Sequence, residues 1–342
     1  SMKSIVIHFP WKAELQSPIL RQTPGNNGIW KDYQFHVNKA SGAYDFLVVY
    51  GGNRSLINTP LPKKNTLFIA SEPPSIKKYS ESYLSQFGGV ICTDSEHRHP
   101  NLQLQQQGYP WFSGIRFLQD GSEVATKHYD DYKRDSVIQK SKLLSVVCST
   151  KQSKPGHRKR FEFVQRLKEE FGDELDWFGN GQDSVADKAD AIRPYQYHIV
   201  IENSSYKHYW TEKLSDCFLE GAFPFYAGCP NIGEYFPHQA YQTIDLNKPE
   251  EAVQLIRTAI RTDRYQQSLE ALKEAKRQVL DDYNLFNMIT EYFDRVSEAT
   301  PNEKQAFKAY PEKWHKKGPL YRMLSKVREW TPKRNSKGNT ND

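Results

Sequence analysis

The chain of 342 residues lacks several features that mark particular classes of protein. It has no run of eighteen or more apolar residues, so we expect no membrane-spanning helix. No Asp-x-Asp motif for a divalent metal occurs. No cysteine has a Cys-x-x-Cys partner, so we expect buried thiols in a reducing cytoplasm rather than a zinc site or disulfide framework. These cysteines are Cys92, Cys148, Cys217 and Cys229.

The positive charge of the chain is unevenly distributed. The net charge is +6 and the pI is about 8.9, which suits nucleic acid, an anionic membrane or a phosphorylated ligand. Residues 313–334 hold eight Lys or Arg and one acid, Glu329, and no nucleic-acid-binding module is recognisable. We therefore expect no nucleic-acid partner.

The same C-terminal residues show helical periodicity. Their apolar positions predict a basic amphipathic helix that could lie on an anionic membrane surface, although packing of the apolar stripe on the protein is an open alternative. From residue 335 the composition predicts disorder. The apolar positions are Leu320, Met323, Leu324, Val327 and Trp330.

Two successive sets of short apolar runs predict an α/β fold. The first set holds strand candidates at 4–8, 46–50, 67–70 and 89–92. A polar stretch, 119–142, reads as an inter-domain connection. The second set holds strand candidates at 143–148, 176–178, 197–201 and 223–226, and helices at 158–171, 209–220, 249–260 and 265–296.

This organisation predicts two doubly wound, Rossmann-like domains that face each other across a cleft. We place the N-terminal domain at 1–135 and the C-terminal domain at 136–300. A helical tail with a disordered end takes up 301–342.

The stretch 195–228 holds the densest chemistry. An apolar strand ends in Glu202-Asn203, and ligands of open α/β sheets bind beyond the carboxyl ends of their strands. The following helix presents Tyr209, Glu212 and Lys213 on adjoining faces. Lys213 could bind a diphosphate, and Glu212 could accept hydrogen bonds from a ribose diol. Taken without the surrounding motifs, the two residues could equally be an ion pair at a solvated helix start.

The order of three motifs is more specific than any one pair of residues. Glu202-Asn203-Ser204 is followed by Tyr209-Trp-Thr-Glu-Lys213 and then by Gly221-Ala-Phe-Pro224-Phe-Tyr-Ala-Gly228. This succession resembles the α1,3/α1,4-fucosyltransferases, glycosyltransferase family 10, over about 143–245. The resemblance implies a fold of the GT-B type with an acceptor-binding N-terminal domain and a GDP-sugar-binding C-terminal domain. It also implies GDP-fucose as donor and inversion at the transferred sugar.

The resemblance also implies roles for individual residues. Glu202, Asn203, Tyr209, Glu212 and Lys213 match donor-binding positions of the family. Arg158 matches the arginine that contacts the donor phosphates. Arg160 is the alternative if the register differs. Either arginine could also be simply a solvated helix residue. Gly179 and Lys188 match further donor-side positions, although Lys188 could be an ordinary surface lysine.

The family places a catalytic glutamate after a strand of the N-terminal domain. Here the strand 67–70 leads into Ser71-Glu72-Pro73-Pro74, so Glu72 is the candidate base. A turn carboxylate that caps the next segment is the alternative role, and Asp94 and Glu96 are competing bases.

Aromatic residues after the first set of strands could bind the acceptor. Tyr109, Trp111 and Phe112 could stack on sugar rings, or they could be ordinary core aromatics. Because Arg and Lys are available for the diphosphate, we expect no required cofactor and no required metal.

Together these observations predict an inverting transferase that moves L-fucose to a 3- or 4-hydroxyl of a glycan containing N-acetylglucosamine or glucose, such as a lipopolysaccharide. The expected partners are GDP-fucose, an oligosaccharide acceptor and an anionic membrane surface. If the source is bacterial, we expect a cytoplasmic protein, peripheral on the inner membrane face. A GT-B enzyme with another nucleotide sugar and a non-catalytic glycan- or nucleotide-binding protein are the alternatives.

Overall fold

The structure is a computed structural model that describes residues 1–10, 18–39, 43–179, 185–296 and 306–330, without the side chains of 328–330. The predicted disordered end lies outside the described residues. The described strands are β1 (Lys3–His8), β2 (Ile29–Trp30), β3 (Tyr33–Val37), β4 (Phe46–Tyr50), β5 (Ile57–Pro60), β6 (Thr66–Ile69), β7 (Gly89–Cys92), β8 (Leu102–Leu104), β9 (Ile115–Phe117), β10 (Glu123–Ala125), β11 (Lys142–Val147), β12 (Leu175–Phe178), β13 (Tyr195–Ile201), β14 (Phe223–Ala227), β15 (Gln242–Thr243) and β16 (Ala306–Ala309).

Helices cover the sheets and form most of the C-terminal third. They are α1 (Glu81–Leu84), α2 (Tyr129–Arg134), α3 (Pro155–Phe171), α4 (Glu212–Leu219), α5 (Pro249–Arg261), α6 (Arg264–Gln267), α7 (Leu269–Leu280), α8 (Leu285–Val296), α9 (Glu312–Lys316) and α10 (Pro319–Trp330). The single helix predicted over 265–296 is therefore three helices.

The N-terminal sheet has the strand order β2-β3-β1-β4-β6-β7-β8. Every pair is parallel except β2–β3. The central strands β4, β6 and β7 are buried along their whole length, as expected of strands covered on both faces. Glu72 follows β6, at the carboxyl edge of this sheet.

The second sheet has the order β12-β11-β13-β14-β15 and is entirely parallel. Its carboxyl edge carries the segments that follow β11, β13 and β14. This edge is where the donor motifs were predicted, and the α/β, two-domain prediction is confirmed in its architecture.

The chain returns to the N-terminal domain near its end. Helix α8 contributes Phe286 and Phe293 to the N-terminal core, where they pack against Phe35 and Phe46. Strand β16 then pairs antiparallel with β5. The predicted boundary at 300 is therefore corrected, because residues 285–296 and 306–309 complete the first domain.

The boundary predicted at 135 also moves. Trp111 and Tyr132 belong to the core of the C-terminal domain, so the chain crosses between the domains before Trp111. The predicted inter-domain connection, 119–142, contains strand β10 and helix α2, and buried charged residues attach it to the C-terminal domain. The fully buried Glu220 accepts hydrogen bonds from Lys127 Nζ at 2.8 Å and from the Tyr132 hydroxyl at 2.8 Å.

Helix α10 exposes part of its apolar face to solvent. Leu320 is 67% exposed, and Met323, Leu324 and Val327 are also exposed. Within the described ranges, no helix is both long and apolar enough to cross a membrane. All four cysteines are free and buried, as the sequence predicted.

Candidate donor and acceptor cleft

Glu202 fixes the beginning of helix α4. It is 5% exposed and accepts hydrogen bonds from the Thr211 backbone N–H at 2.7 Å, the Thr211 hydroxyl at 2.6 Å and the Tyr226 hydroxyl at 3.1 Å. Burial raises the pKa of the carboxyl group, and Lys213 opposes this shift. Both carboxylate oxygens are engaged inside the protein, so Glu202 positions α4 instead of presenting free oxygens to a ligand.

Gly228 is required by the same anchor. A Cβ atom at this position would lie 2.4 Å from Cγ of Glu202, which is closer than real Cβ contacts come. The glycine that ends the third motif therefore allows β14 to approach the buried carboxylate. One packing constraint therefore accounts for two motif positions, Glu202 and Gly228.

Helix α4 presents its first residues to the edge of the sheet. Thr211 is the N-cap, and its hydroxyl accepts a hydrogen bond from the Lys213 backbone N–H at 3.3 Å. The Lys213 ammonium lies 3.6 Å from the Glu212 carboxylate, and both side chains are partly buried. Both residues therefore lie at this edge, and their contact with a ligand stays a prediction.

Arg160 replaces Arg158 as the arginine that faces the edge. The guanidinium of Arg160 donates a hydrogen bond to Oδ1 of Asn203. Arg158 is exposed and lines a separate surface depression with Lys154 and Glu162. The helical register explains the difference, because Arg160 precedes the buried Phe163 by three residues and so shares its face. The sequence analysis named Arg160 only as the alternative.

Four cations lie close enough to His157, near the start of helix α3, to affect its imidazole. After burial itself, the charges of Arg160, Lys154, Lys151 and Lys213 lower the pKa of the His157 imidazole. Lys151 and Lys154 come from the polar loop before α3, where Pro155 at the first helical position marks the helix start. This proline was the available signal for these lysines, which the sequence analysis did not select.

A pocket of about 850 Å³ lies beside the cations. Its near wall is formed by Glu202, Asn203 and Gly228, and its far wall by residues after β14 and around β15. The far wall includes Tyr241, Asp245 and Asn247, which no motif identified. The pocket has the size of a small-molecule site and opens at the strand ends.

Lys188 and Gly179 make contacts within the protein. Lys188 donates to the fully buried Asp216 at 2.9 Å, and Asp216 also accepts the backbone N–H groups of Phe112 and Ser113 at 3.1 Å each. The Lys188 ammonium is therefore held by Asp216, and its contact with a donor stays a prediction. Gly179 follows β12 with φ of 84°, and a Cβ there would approach the Cys148 carbonyl oxygen at 3.2 Å.

The predicted acceptor aromatics separate into three environments. Tyr109 lies in the cleft, where its hydroxyl donates to the Ser71 carbonyl at 2.6 Å and its ring meets Tyr209 edge-on at 6.1 Å. Trp111 is 2% exposed and packs against Tyr132, so its prediction as an acceptor contact is wrong. Phe112 is 46% exposed and stays a candidate contact.

Glu72 faces the donor domain across the cleft. The Glu72 side chain is exposed, and partial desolvation by its surroundings raises the pKa of its carboxyl group; Lys77 and Lys154 oppose this shift, and Glu212 adds to it. Two of these three charges, Lys154 and Glu212, belong to the other domain. The charge of Glu72 also raises the pKa of the buried Tyr209 hydroxyl, although burial is the largest cause of that shift.

The two domains touch at the mouth of this cleft. The hydroxyls of Ser75 and Ser204 lie 2.7 Å apart, one three residues after Glu72 and the other directly after Asn203. The competing bases are less suited to the role. Glu96 pairs with Lys78 at the surface, whereas Asp94 is buried and lies 3.7 Å from His97.

Part of the C-terminal domain matches a known family model. Residues 137–270 match the glycosyltransferase family 10 (fucosyltransferase) C-terminal region. We refer to this matched region as the family 10 domain. The resemblance drawn from the motifs is confirmed, and the family 10 domain contains the cations, the pocket and the anchored helix α4.

The family 10 domain also has a curated relative. A fucosyltransferase-like protein of Arabidopsis thaliana is 34% identical over 56 residues, which is 16% of this chain. The match spans 11% of the length of that relative. It therefore supports the domain and leaves the activity of the whole chain to the proposal below.

Solved structures resemble the whole fold. A crystal structure of an α1,3-fucosyltransferase with GDP-fucose has a TM-score of 0.52 and 16% identity, and covers 89% of this chain and 93% of that one. An α1,3-fucosyltransferase structure with GDP has a TM-score of 0.53 and 18% identity, over 87% and 92%. The GT-B fold prediction is confirmed.

Proposed function

We propose that this protein is an inverting fucosyltransferase that transfers L-fucose from GDP-fucose to a glycan hydroxyl. The observation that carries the proposal is the pocket of about 850 Å³ in the family 10 domain, where Asn203 on the pocket wall accepts a hydrogen bond from the Arg160 guanidinium. A diphosphate needs concentrated positive charge, and a nucleoside needs an adjacent cavity. The α1,3-fucosyltransferase structures of similar fold hold GDP-fucose or GDP, which supports the choice of donor.

The reaction assigns a role to each side of the cleft. Glu72 takes the proton of the acceptor hydroxyl while the oxygen attacks the anomeric carbon of fucose. The bond to the GDP β-phosphate oxygen breaks on the opposite face, so the configuration inverts. Arg160 and Lys213 stabilise the negative charge that develops on the departing diphosphate.

Tyr109 and Tyr209 lie near the candidate base. The Tyr109 hydroxyl donates to the carbonyl of Ser71, the residue before Glu72, and its ring meets the Tyr209 ring edge-on at 6.1 Å. We propose that the transferred sugar binds beside this pair. Phe112, which is exposed, is the remaining aromatic candidate for the acceptor. We propose a 3- or 4-hydroxyl of an N-acetylglucosamine- or glucose-containing surface glycan as the acceptor.

A donor panel tests the function. Purified protein is titrated with GDP, GDP-fucose, GDP-mannose and UDP-glucose in a thermal-shift assay, and sugar transfer to N-acetyllactosamine is then measured. Stabilisation by GDP and GDP-fucose, followed by transfer of fucose, is the expected result. Preference for a UDP sugar would mean that the donor is a UDP sugar and not GDP-fucose. Binding of GDP-fucose without transfer to any glycan on an array would favour a non-catalytic binding protein.

The four cations also make a metal dispensable. Because Arg160 and Lys213 neutralise the diphosphate, we expect transfer in EDTA to stay within about twofold of transfer in Mg²⁺. A strict requirement for Mg²⁺ would contradict this part of the proposal.

We also propose that helix α10 lies on an anionic membrane surface. Its exposed apolar residues Leu320, Met323 and Leu324 share the helix with Arg322 and Lys326, a composition suited to the headgroup region. Co-sedimentation with vesicles of phosphatidylglycerol, but not of phosphatidylcholine, is the expected result. Leu324→Asp should reduce this binding without changing fucose transfer, and equal binding of both proteins would overturn the assignment.

A further inference from the structure

The C-terminal return brings a carboxylate to the rim of the N-terminal domain. Strand β16 buries Phe307 and Ala309 against this domain, and helix α9 follows with Glu312 as its first residue. Glu312 lies 2.6 Å from the Lys77 ammonium, and its carboxylate is the nearest group to the open side of Gly52, after β4. The segment therefore reaches the carboxyl edge of the sheet that carries Glu72.

Lys77 lies between two carboxylates. It follows Glu72 by five residues and is the largest charge that opposes the effect of partial desolvation on the pKa of Glu72. Its ion-pair partner, however, is Glu312. Among the residues that the structure describes, the Glu72 carboxylate has no hydrogen bond or ion pair of its own. A base that had to break an ion pair before taking a proton would be weaker and partly blocked.

We propose that Glu312 is a positioning residue for the transfer reaction. Its carboxylate holds the Lys77 ammonium in an ion pair, which keeps the Glu72 carboxylate unpaired and open to the acceptor hydroxyl. The inference rests on the proposed function, because it gives the C-terminal segment a role in the same cleft. The ligand concerned is the glycan acceptor, and Glu72 removes the proton of its reacting hydroxyl.

The other groups that face Glu72 come from several elements. They are Lys154 before α3, Glu212 of α4, and the buried hydroxyls of Tyr50, Tyr79, Tyr109 and Tyr209. None of them is altered in the variants below. Differences between these variants therefore report on the Lys77–Glu312 pair.

The direction of the effect follows from the charges. In Glu312→Gln, Lys77 is freed to pair with Glu72, and this pairing lowers the pKa of the base. In Lys77→Met a cation is lost, which raises the pKa of the base. The deprotonated form of Glu72 is the active one, so the acidic limb of the pH profile should follow the pKa in each case.

The experiment measures kcat/KM for GDP-fucose between pH 4.5 and 8.5, with N-acetyllactosamine as probe acceptor. For Glu312→Gln the acidic limb should move down by about one pH unit and kcat should fall by about tenfold, because the base is weaker and paired. For Lys77→Met the limb should move up. The double variant should follow Lys77→Met, since Glu312 acts only through Lys77.

Neighbouring charges provide matched controls. Lys78→Met removes the adjacent cation, whose partner is the exposed Glu96, and Glu81→Gln removes an exposed carboxylate of α1, the helix that contacts α9. Both should keep the wild-type limb. If Glu312→Gln does not fold, Lys77→Met alone must shift the limb upward.

The outcomes separate this inference from the proposed function. If the wild-type protein neither binds nor consumes GDP-fucose, the function itself fails. If Glu72→Gln keeps normal turnover, the assignment of the base fails. If Glu72→Gln is inactive while Glu312→Gln and Lys77→Met leave the acidic limb in place, Glu312 has no positioning role.

Discussion

The guanidinium of Arg160 and the side-chain oxygen of Asn203 form a hydrogen bond that joins helix α3 to the end of strand β13. This bond selects one of two arginines that are only two positions apart in the sequence. Because Arg158 points to a different surface, the two side chains provide a sharp test of the donor site.

Arg160→Ala should weaken GDP binding by about 10- to 100-fold, the loss expected when a charged hydrogen-bond donor to a phosphate is removed. Arg158→Ala should stay within about twofold of the wild type. Isothermal titration calorimetry with GDP measures both. Equal losses for the two variants would mean that the phosphates lie at the exposed face of α3.

Glu72→Gln should lower kcat for fucose transfer by about 100- to 10,000-fold, the usual contribution of a general base. The Kd for GDP should not change, because no donor contact is removed. In the wild type, partial desolvation raises the pKa of this carboxyl, so the acidic limb should lie above the ordinary value for glutamate. Turnover of Glu72→Gln at the wild-type rate would exclude this residue as the base.

Gly228→Ala should destabilise the protein by about 1–3 kcal/mol, as overpacking of a close contact does. The added methyl group would collide with Glu202 and shift the start of α4, so GDP affinity should fall as well. Thermal unfolding with and without GDP measures both effects. Gly121→Ala is the control for a glycine with open space, although its positive φ also carries strain. An unchanged melting temperature for Gly228→Ala would show that the anchor can relax.

His198 should make the protein sensitive to acid. Burial lowers the pKa of its imidazole to about 3, and its Nδ1 lies 2.8 Å from the Ser145 hydroxyl. Between the ordinary pKa and this value the unfolded chain binds a proton that the folded chain does not, so stability falls with decreasing pH by up to about 1.4 kcal/mol per unit. His198→Asn should therefore show a flatter dependence of unfolding free energy on pH between 6.5 and 4, in urea titrations. A slope identical to that of the wild type would contradict the shift.

The sequence predicted the parts of the fold that depend on local patterns. The buried strands β4, β6, β7, β11 and β13 were visible as short apolar runs, and the order of motifs identified the family 10 domain. The motif residues Glu212 and Lys213 lie at the edge of the sheet where strand-and-helix reasoning placed them. Their positions follow from local chain order, which a sequence displays directly.

Features that depend on contacts between distant segments were not predictable. Whether Trp111 is a ligand contact or a core residue depends on its packing against Tyr132, which no local pattern shows. Lys188 and Asp216 pair although they are 28 positions apart, and Lys77 and Glu312 pair although they are 235 positions apart. The choice between Arg158 and Arg160 needed the exact phase of α3.

The C-terminal return has a consequence for synthesis on the ribosome. The core of the first domain includes α8, and its edge includes β16, so this domain cannot complete its packing until residues beyond 300 have left the exit tunnel. The C-terminal domain, whose core is complete by Leu280, can therefore finish folding first. The N-terminal domain is translated first, but it stays partly folded until strand β16 has been translated.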